Sequence, residues 1–445
     1  MINIMKLPNR FKVLTTLTIS STIFLMSNVQ GANLLSLYNE AVLTDPQLLS
    51  ANAEVSIGEA REQQAFAGLL PQASVTGSIS KNRYEDTSTV SYTGRRYNVS
   101  IRQPLFNGES WYSYKGAKHD TNKQRALFLD AKSTLAFDLT TRYLDALISE
   151  NELTLVNSEL ASVEGQLKLL YSKQKRQLAV KTDVLDVEAR VQTLKVDVID
   201  AQNNVAITRE GLTQLVNRPL GEEKLDDFLD QIPYETIKRS LNDWVQYAYE
   251  NSKFYQALQQ DVKSIEKRIR ERRSGHLPTL ELQLNTQSSN IGSENVQTNT
   301  TKSYTAGLNL SIPLFSGGRT TARVRESHAQ LDVANQKLEQ LRRELQKEVR
   351  ESLLSTSSGW SRITAGRLAI IASTKSHEAM KKGFNYGTVT VVDVLDALRK
   401  KIESELAFKR AQYDFVRNYM KLQHLSGSLD KDMVEKVKNW QQYAG

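Results

Sequence analysis

Gln103-Pro104-Leu105-Phe106-Asn107-Gly108 recurs further along the chain as Ile312-Pro313-Leu314-Phe315-Ser316-Gly317. Ahead of each copy the sequence alternates with a period of two. Tyr97, Val99 and Ile101 interleave with Asn98, Ser100 and Arg102, while Tyr304, Ala306, Leu308, Leu310 and Ile312 interleave with Thr305, Gly307, Asn309 and Ser311. That period belongs to strands with one apolar face. Behind each copy the apolar residues step by three and four instead. Leu153, Val156, Leu160, Val163, Leu167 and Leu170 do so in the first stretch and Leu331, Ala334, Leu338, Leu341 and Leu345 in the second, as in coiled-coil seams. The shared Pro-Leu-Phe segment therefore marks a strand-to-helix junction, made twice.

Other matches keep the same order. Leu69-Leu70-Pro71-Gln72 is echoed by His276-Leu277-Pro278-Thr279, and Asp183-Val184-Leu185-Asp186 returns unchanged as Asp393-Val394-Leu395-Asp396. Collinear matches at nearly one offset read as an internal duplication, with units at 33–217 and 240–427 and a connector at 218–239 that holds Pro219 and Pro233. After Pro71, Ala73, Val75, Gly77 and Ile79 alternate with serine and threonine; after Pro278, Leu280, Leu282 and Leu284 alternate with Glu281, Gln283 and Asn285. Each unit thus predicts a helix, a β-hairpin, a long helix and a further helix. In the first these fall at about 35–69, 72–104, 106–176 and 183–217; in the second at about 240–276, 279–313, 319–385 and 390–426. The hairpin tips are expected at 85–95 and 290–301, which are polar. A tail, 428–445, follows.

Each strand can supply the ~9–11 residues a tilted strand needs to cross a bilayer. Each long helix, at 1.5 Å per residue, would span roughly 100 Å. The fold class expected is a mixed α and β membrane protein with four antiparallel strands per chain above a long coiled-coil part. Four strands cannot close a barrel, and open edges in lipid are costly, so several copies must join. Two would make a barrel filled by its own side chains; three would leave a passage.

The composition fits this reading. Among 445 residues, 40% are hydrophobic, and glycine and proline are few. No cysteine is present, which excludes disulfides, thiolate metal sites and a lipidated N-terminal cysteine. Residues 1–32 pair Lys6, Arg10 and Lys12 with an apolar run and end at the small residues Gly31 and Ala32, the pattern of a secretory signal peptide. The net charge of +8 counts those three cations, and no like-charge run forms a nucleic-acid patch.

The sequence resembles the TolC family of outer-membrane efflux and type I secretion channels. The resemblance runs over nearly all of the chain after residue 32. It is carried by Leu70-Pro71-Gln72, His276-Leu277-Pro278-Thr279, the Pro-Leu-Phe junctions with Gly317-Gly318, and Gly387-Thr388 leading into Val392-Asp393-Val394-Leu395-Asp396-Ala397. It implies a homotrimer in the outer membrane of a Gram-negative bacterium, with a 12-stranded barrel in the lipid and a helical tunnel in the periplasm. The connector 218–239 and the tail would form an equatorial belt. The partners implied are a periplasmic membrane-fusion adaptor and an inner-membrane transporter, ATP- or proton-driven.

By the same resemblance, Asp393 and Asp396 line the periplasmic gate of the pore. An Asp-x-x-Asp pair at a helix start also caps and charges that helix, and the residues alone leave both roles open. Thr182, Asp183, Asp186, Phe384 and Tyr386 are the expected gate-turn contacts, and Lys181, Gly387 and Thr388 the expected adaptor-docking positions. Two departures stand out: the family pattern has an arginine where this chain has Val389 and a tyrosine where it has Phe384. Closure of the gate would then rest on other groups, with Tyr386, Lys181 and Arg176 as candidates.

Little else in the sequence carries chemistry. His119, His276, His328, His377 and His424 lie in no metal-ligand spacing, Gly317-Gly318 lacks a P-loop lysine, and no nucleophile–base set is recognisable. No enzyme activity, cofactor or metal is expected. Trp111, Tyr112 and Tyr114 suit either a membrane-interface belt or a helix core. A periplasmic coiled-coil adaptor or scaffold would share the heptads and the signal peptide, but would not need four amphipathic strands. An adhesin stalk would lack the duplication.

Overall fold

A computed structural model describes residues 32–85, 89–221, 223–229, 232, 239–292 and 296–441. The expected signal peptide, apart from Ala32, lies outside the described residues. Helices α1 (Leu34–Thr44) and α2 (Pro46–Ala67) lead into strands β1 (Gln72–Glu85) and β2 (Thr89–Phe106), then helices α3 (Gly108–Gln174) and α4 (Lys181–Val216). The order repeats with α5 (Leu241–Asn251), α6 (Lys253–Arg273), β3 (Thr279–Ile291), β4 (Gln297–Ser311), α7 (Arg319–Asn385) and α8 (Val391–Leu425), and α9 (Lys431–Lys438) follows. The long helices α3 and α7 hold 67 residues each, about 100 Å of rise.

The helix expected over 35–69 is two helices. Asp45 precedes Pro46, and a residue before proline is steered out of the α region. Its side chain then caps α2 by accepting from the Leu48 N–H at 2.7 Å. The helix expected over 240–276 is broken as well, at Ser252. No proline acts there. Gly427, at φ +69°, lies so close that a Cβ on it would sit 2.1 Å from the Asn251 carbonyl oxygen.

All four strands form one antiparallel sheet in the order β1-β2-β3-β4, so the β2–β3 ladder joins the two halves. The hairpin tips are shorter than expected: β1 and β2 stay paired out to Glu85 and Thr89, β3 and β4 to Ile291 and Gln297. Strand ends this polar look like loops in sequence. Strand β2 also continues through Pro104 to Phe106, with a register shift against β3 at that point, where a missing N–H is tolerated. In the ladder, Ala73 faces Ile101, Ile101 faces Leu284 and Leu284 faces Ala306. Over this stretch one face of the sheet is therefore apolar, and its side chains are exposed: Val75 is 75% accessible, Ile79 70% and Leu308 66%. Strands β1 and β4 each have one neighbour, leaving two bare edges.

The main core gathers Leu34, Leu37 and Tyr38 of α1, Leu139, Tyr143 and Leu144 of α3, Tyr413, Val416 and Met420 of α8, and Val434 and Val437 of α9. The connector and the tail meet on it. Ala32 bridges to Leu225 and Phe228 to Gln441, and Asp227 accepts from the Tyr413 hydroxyl at 2.6 Å and from Lys409 Nζ at 2.9 Å. Arg218 holds Glu40 at 2.6 Å and Glu223 at 2.8 Å.

Candidate functional site

Far from the sheet, α3 turns into α4 and α7 turns into α8. Both turns have one geometry. Leu178 N donates to Lys173 O at 2.9 Å, and Thr388 N to Gly383 O at 3.0 Å, the long-range bond of a Schellman-type helix end. The left-handed residue each turn requires is Gly387 in one, at φ +76°, and Gln177 in the other, at φ +59°. Glycine adopts that conformation without strain and glutamine does not.

The two turns are packed side by side. Val163 and Leu170 of α3, Val184, Val187 and Val191 of α4, and Val391, Leu398 and Ile402 of α8 form one buried cluster, with Phe384 packed against it. Lys173 at the end of α3 lies over the Phe384 ring, its Nζ 4.0 Å from the centroid. Phe384, expected among the gate-turn contacts, thus touches the other turn through its π face rather than through a hydroxyl. Sequence reading did not single out Lys173 or Gln177. Aligning Gln177 with Gly387 through the repeat would have exposed the second.

Asp393 occupies the third position of α8 and closes a capping box. Thr390 Oγ1 accepts from Asp393 N at 3.2 Å, while Asp393 Oδ2 accepts from Thr390 N at 2.8 Å and from its hydroxyl at 2.7 Å. Those bonds, the hydroxyl's first, hold the carboxyl below its ordinary pKa, so it stays ionised. Asp396, one turn on, is exposed. In the first half Asp183 has the equivalent place in α4, but the residue before that helix is Val180, and no side chain caps it. Thr182 and Asp186 are exposed, as are Lys181, Arg176 and Gly387. Tyr386 is 84% accessible, and Thr388 Oγ1 donates to Gly383 O at 3.1 Å. The turns thus present a solvated rim of Asp393, Asp396, Asp186 and Lys181 over an apolar base.

Of the histidines, His424 is half-buried, stacked on Phe137 with Ser133 Oγ 2.8 Å from Nδ1, and desolvation lowers its pKa to about 4. It is a packing residue. Trp111 is about half exposed beside the strand-to-helix junction, whereas Tyr114 packs on Phe66 at a ring distance of 5.3 Å. The aromatic group there is divided between the surface and a helix contact.

The family described as outer membrane efflux protein matches residues 37–218 and 244–428. The outer membrane protein TolC of Vibrio cholerae is 27% identical over 417 residues, covering 93% of this chain and 94% of that protein. The proteases secretion protein PrtF of Dickeya chrysanthemi is 25% identical over 432 residues, covering 94% and 93%. The crystal structure of the outer membrane protein VceC from Vibrio cholerae superposes with a TM-score of 0.76 at 15% identity, covering 88% of this chain and 96% of that one. With one apolar sheet face, two helices of about 100 Å and a family match over both halves, the chain belongs to the outer membrane efflux protein family, whose members are transport channels of the outer membrane and not enzymes.

Proposed function

We propose that three copies close a 12-stranded barrel and a helical tunnel, forming a passive exit duct from an inner-membrane transporter to the exterior. The observation that carries this reading is the sheet. It has an apolar outward face and two bare edges, and lipid leaves unpaired backbone groups no partner but another strand. Pairing β4 of one copy with β1 of the next removes every edge, and twelve strands leave a passage where eight would be filled. The duplication gives each copy two helical hairpins beneath its two β-hairpins.

At the far end, Asp393 and Asp396 repeated around the axis form two carboxylate rings. Such rings favour cations and bind multivalent ones tightly enough to block. The paired turns set the aperture, with Phe384 on Lys173 as one closing contact, and the exposed positions Lys181, Gly387 and Thr388 offer a periplasmic adaptor its docking site. The relatives' names span protease secretion and a general outer-membrane role, and this chain is read as serving a type I secretion system or a tripartite efflux pump.

Planar-bilayer conductance of the purified oligomer tests this, comparing wild type with Asp393→Asn combined with Asp396→Asn, with and without a trivalent cation. A stable, cation-preferring channel whose block weakens in the double variant is expected. A folded oligomer that never conducts would overturn the duct reading, and unchanged block in the double variant would remove the acidic rings from the pore.

A further inference from the structure

The outward face of the sheet changes character abruptly along its length. From Leu280 to Thr286, about 20 Å along β3, its outward positions are Leu280, Leu282, Leu284 and Thr286. Across the ladder they are flanked by Val99, Ile101 and Tyr97 on β2, Ala73, Val75 and Gly77 on β1, and Tyr304, Ala306, Leu308 and Leu310 on β4. None is charged. A band of that height, with Tyr97 and Tyr304 at its tip-side border, approaches the roughly 25 Å apolar height of an outer-membrane barrel.

On the hairpin-tip side the neutral band gives way to cations. Lys302 lies opposite Ser288, level with Tyr97. Arg95 comes two residues beyond Tyr97 and faces Ile79, and Lys81 comes two residues beyond Ile79, opposite Thr93. All three share the outward parity of the apolar face, and all are exposed. Further out, Arg83 is paired with Glu85 at 2.5 Å, the one outward carboxylate near the group among the described residues. Lys81, Arg95 and Lys302 appear in no hydrogen bond or ion pair through their side chains among the described residues. Arg95 is fixed through its backbone instead: its N–H donates to Asn290 Oδ1 at 2.5 Å, and Asn290 Nδ2 donates to Thr93 O at 3.0 Å, pinning β3 beside it.

We infer that Lys81, Arg95 and Lys302 form a collar that binds the phosphate groups of lipopolysaccharide in the outer leaflet. The inference rests on the outer-membrane barrel reading, which sets the tip side facing the exterior. In that orientation the collar stands where the acyl chains of the outer leaflet end and its phosphorylated sugar headgroups begin. Cations held just above an apolar band meet both parts of such a lipid at once. Closing the barrel brings β4 of one copy beside β1 of the next, so Lys302 joins Lys81 across each seam and the collar runs around the circumference. The occupant is the lipid rather than soluble phosphate, because the adjoining surface is apolar and needs acyl chains to cover it.

The test uses the purified oligomer in detergent, wild type against the triple variant K81Q/R95Q/K302Q. Native mass spectrometry counts the molecules retained of deep-rough lipopolysaccharide, the same lipid with its phosphates removed, and phosphatidylglycerol; inorganic phosphate is added as a competitor. Wild type should retain the phosphorylated lipopolysaccharide, and the triple variant about a hundredfold more weakly, roughly fivefold per lost cation. Equal retention by the variant, equal retention of the dephosphorylated lipid, or equal retention of phosphatidylglycerol would each overturn the assignment, and full competition by millimolar phosphate would indicate a simple anion site instead. Conductance of both proteins is recorded in parallel: a conducting oligomer without selective retention sinks the collar alone, whereas an oligomer that never conducts sinks the duct.

Discussion

Lys173 Nζ stands 4.0 Å from the centre of the Phe384 ring, joining the end of α3 to the end of α7 across the two halves of the chain. A contact of this kind near the surface contributes about 0.5–1 kcal/mol. Lys173→Met, which keeps the apolar stem, should loosen the paired turns and raise the open fraction about two- to fivefold in single-channel records. Phe384→Tyr keeps the ring and should leave the resting conductance as it is. A Lys173→Met channel with wild-type gating would show that the turns are held by the buried cluster alone.

Asp393 has two jobs available to it, and different substitutions separate them. Thr390→Val removes the hydroxyl of the capping box but no charge. It should cost α8 roughly 1 kcal/mol, seen as faster amide exchange over the first turn of that helix, with cation block retained. Asp396→Asn should do the reverse, weakening block with little change in exchange. The same loss of block in both would tie the pore's cation preference to the shape of the cap rather than to charge.

Gln177 and Gly387 hold the same left-handed place in the two turns. Gln177→Gly should stabilise the first turn by about 1 kcal/mol, and Gly387→Ala should destabilise the second by about 1–2 kcal/mol. Protection factors at Leu178 and Thr388 read each effect directly. If Gln177→Gly loosens its turn instead, the glutamine side chain contributes a contact that outweighs its backbone strain.

Asp130 lines a groove of about 490 Å³ with Asp45, Asp138 and Arg142, and burial raises its pKa to about 6. A carboxyl with a raised folded-state pKa favours the fold fully below its unfolded pKa. That contribution is lost as pH rises through the folded value, here between roughly pH 4 and 6. Asp130→Asn should therefore stabilise the helical part by about 1–2 kcal/mol at pH 7.5 and by little at pH 4. Thermal unfolding followed by far-ultraviolet circular dichroism at both pH values checks the sign. A variant less stable at pH 7.5 would mean that the ionised carboxylate has a favourable partner in the groove.

The sheet was legible because its pattern is local. Ala73, Val75, Gly77 and Ile79 alternate with polar residues whatever the rest of the chain does, and in the ladder they fall on one face. The long helices were legible for the same reason. Where the reading missed, distant parts of the chain decide. Ser252 interrupts a helical stretch without proline, and Gly427, from the far end of the sequence, is what fits against the break. Residues 89–95 look like a loop because the outer ends of the strands carry Ser91, Thr93 and Arg95, polar for want of lipid around them. The break at Asp45-Pro46 was in plain view, since proline and its predecessor carry the signal in two adjacent letters. At the turns, Asp393 and Phe384 could be named from the sequence, but the lysine that meets Phe384 lies in the other half, and no spacing points to it.

The ladder from β2 to β3 pairs Ile101 with Leu284, and this orders events in time. A chain exported from its N-terminus delivers the first hairpin long before β3 exists to receive it, and α3 likewise waits for α6 and α8 of the second half to cover it. The hairpin must wait with a sticky margin on either side: one is relieved only when the second half of the same molecule arrives, the other, in the proposed trimer, only when a sibling does. Its greatest vulnerability to aggregation is therefore the interval between synthesis and assembly, and escort factors that shield strand margins should matter more to its yield than any single contact in the finished sheet.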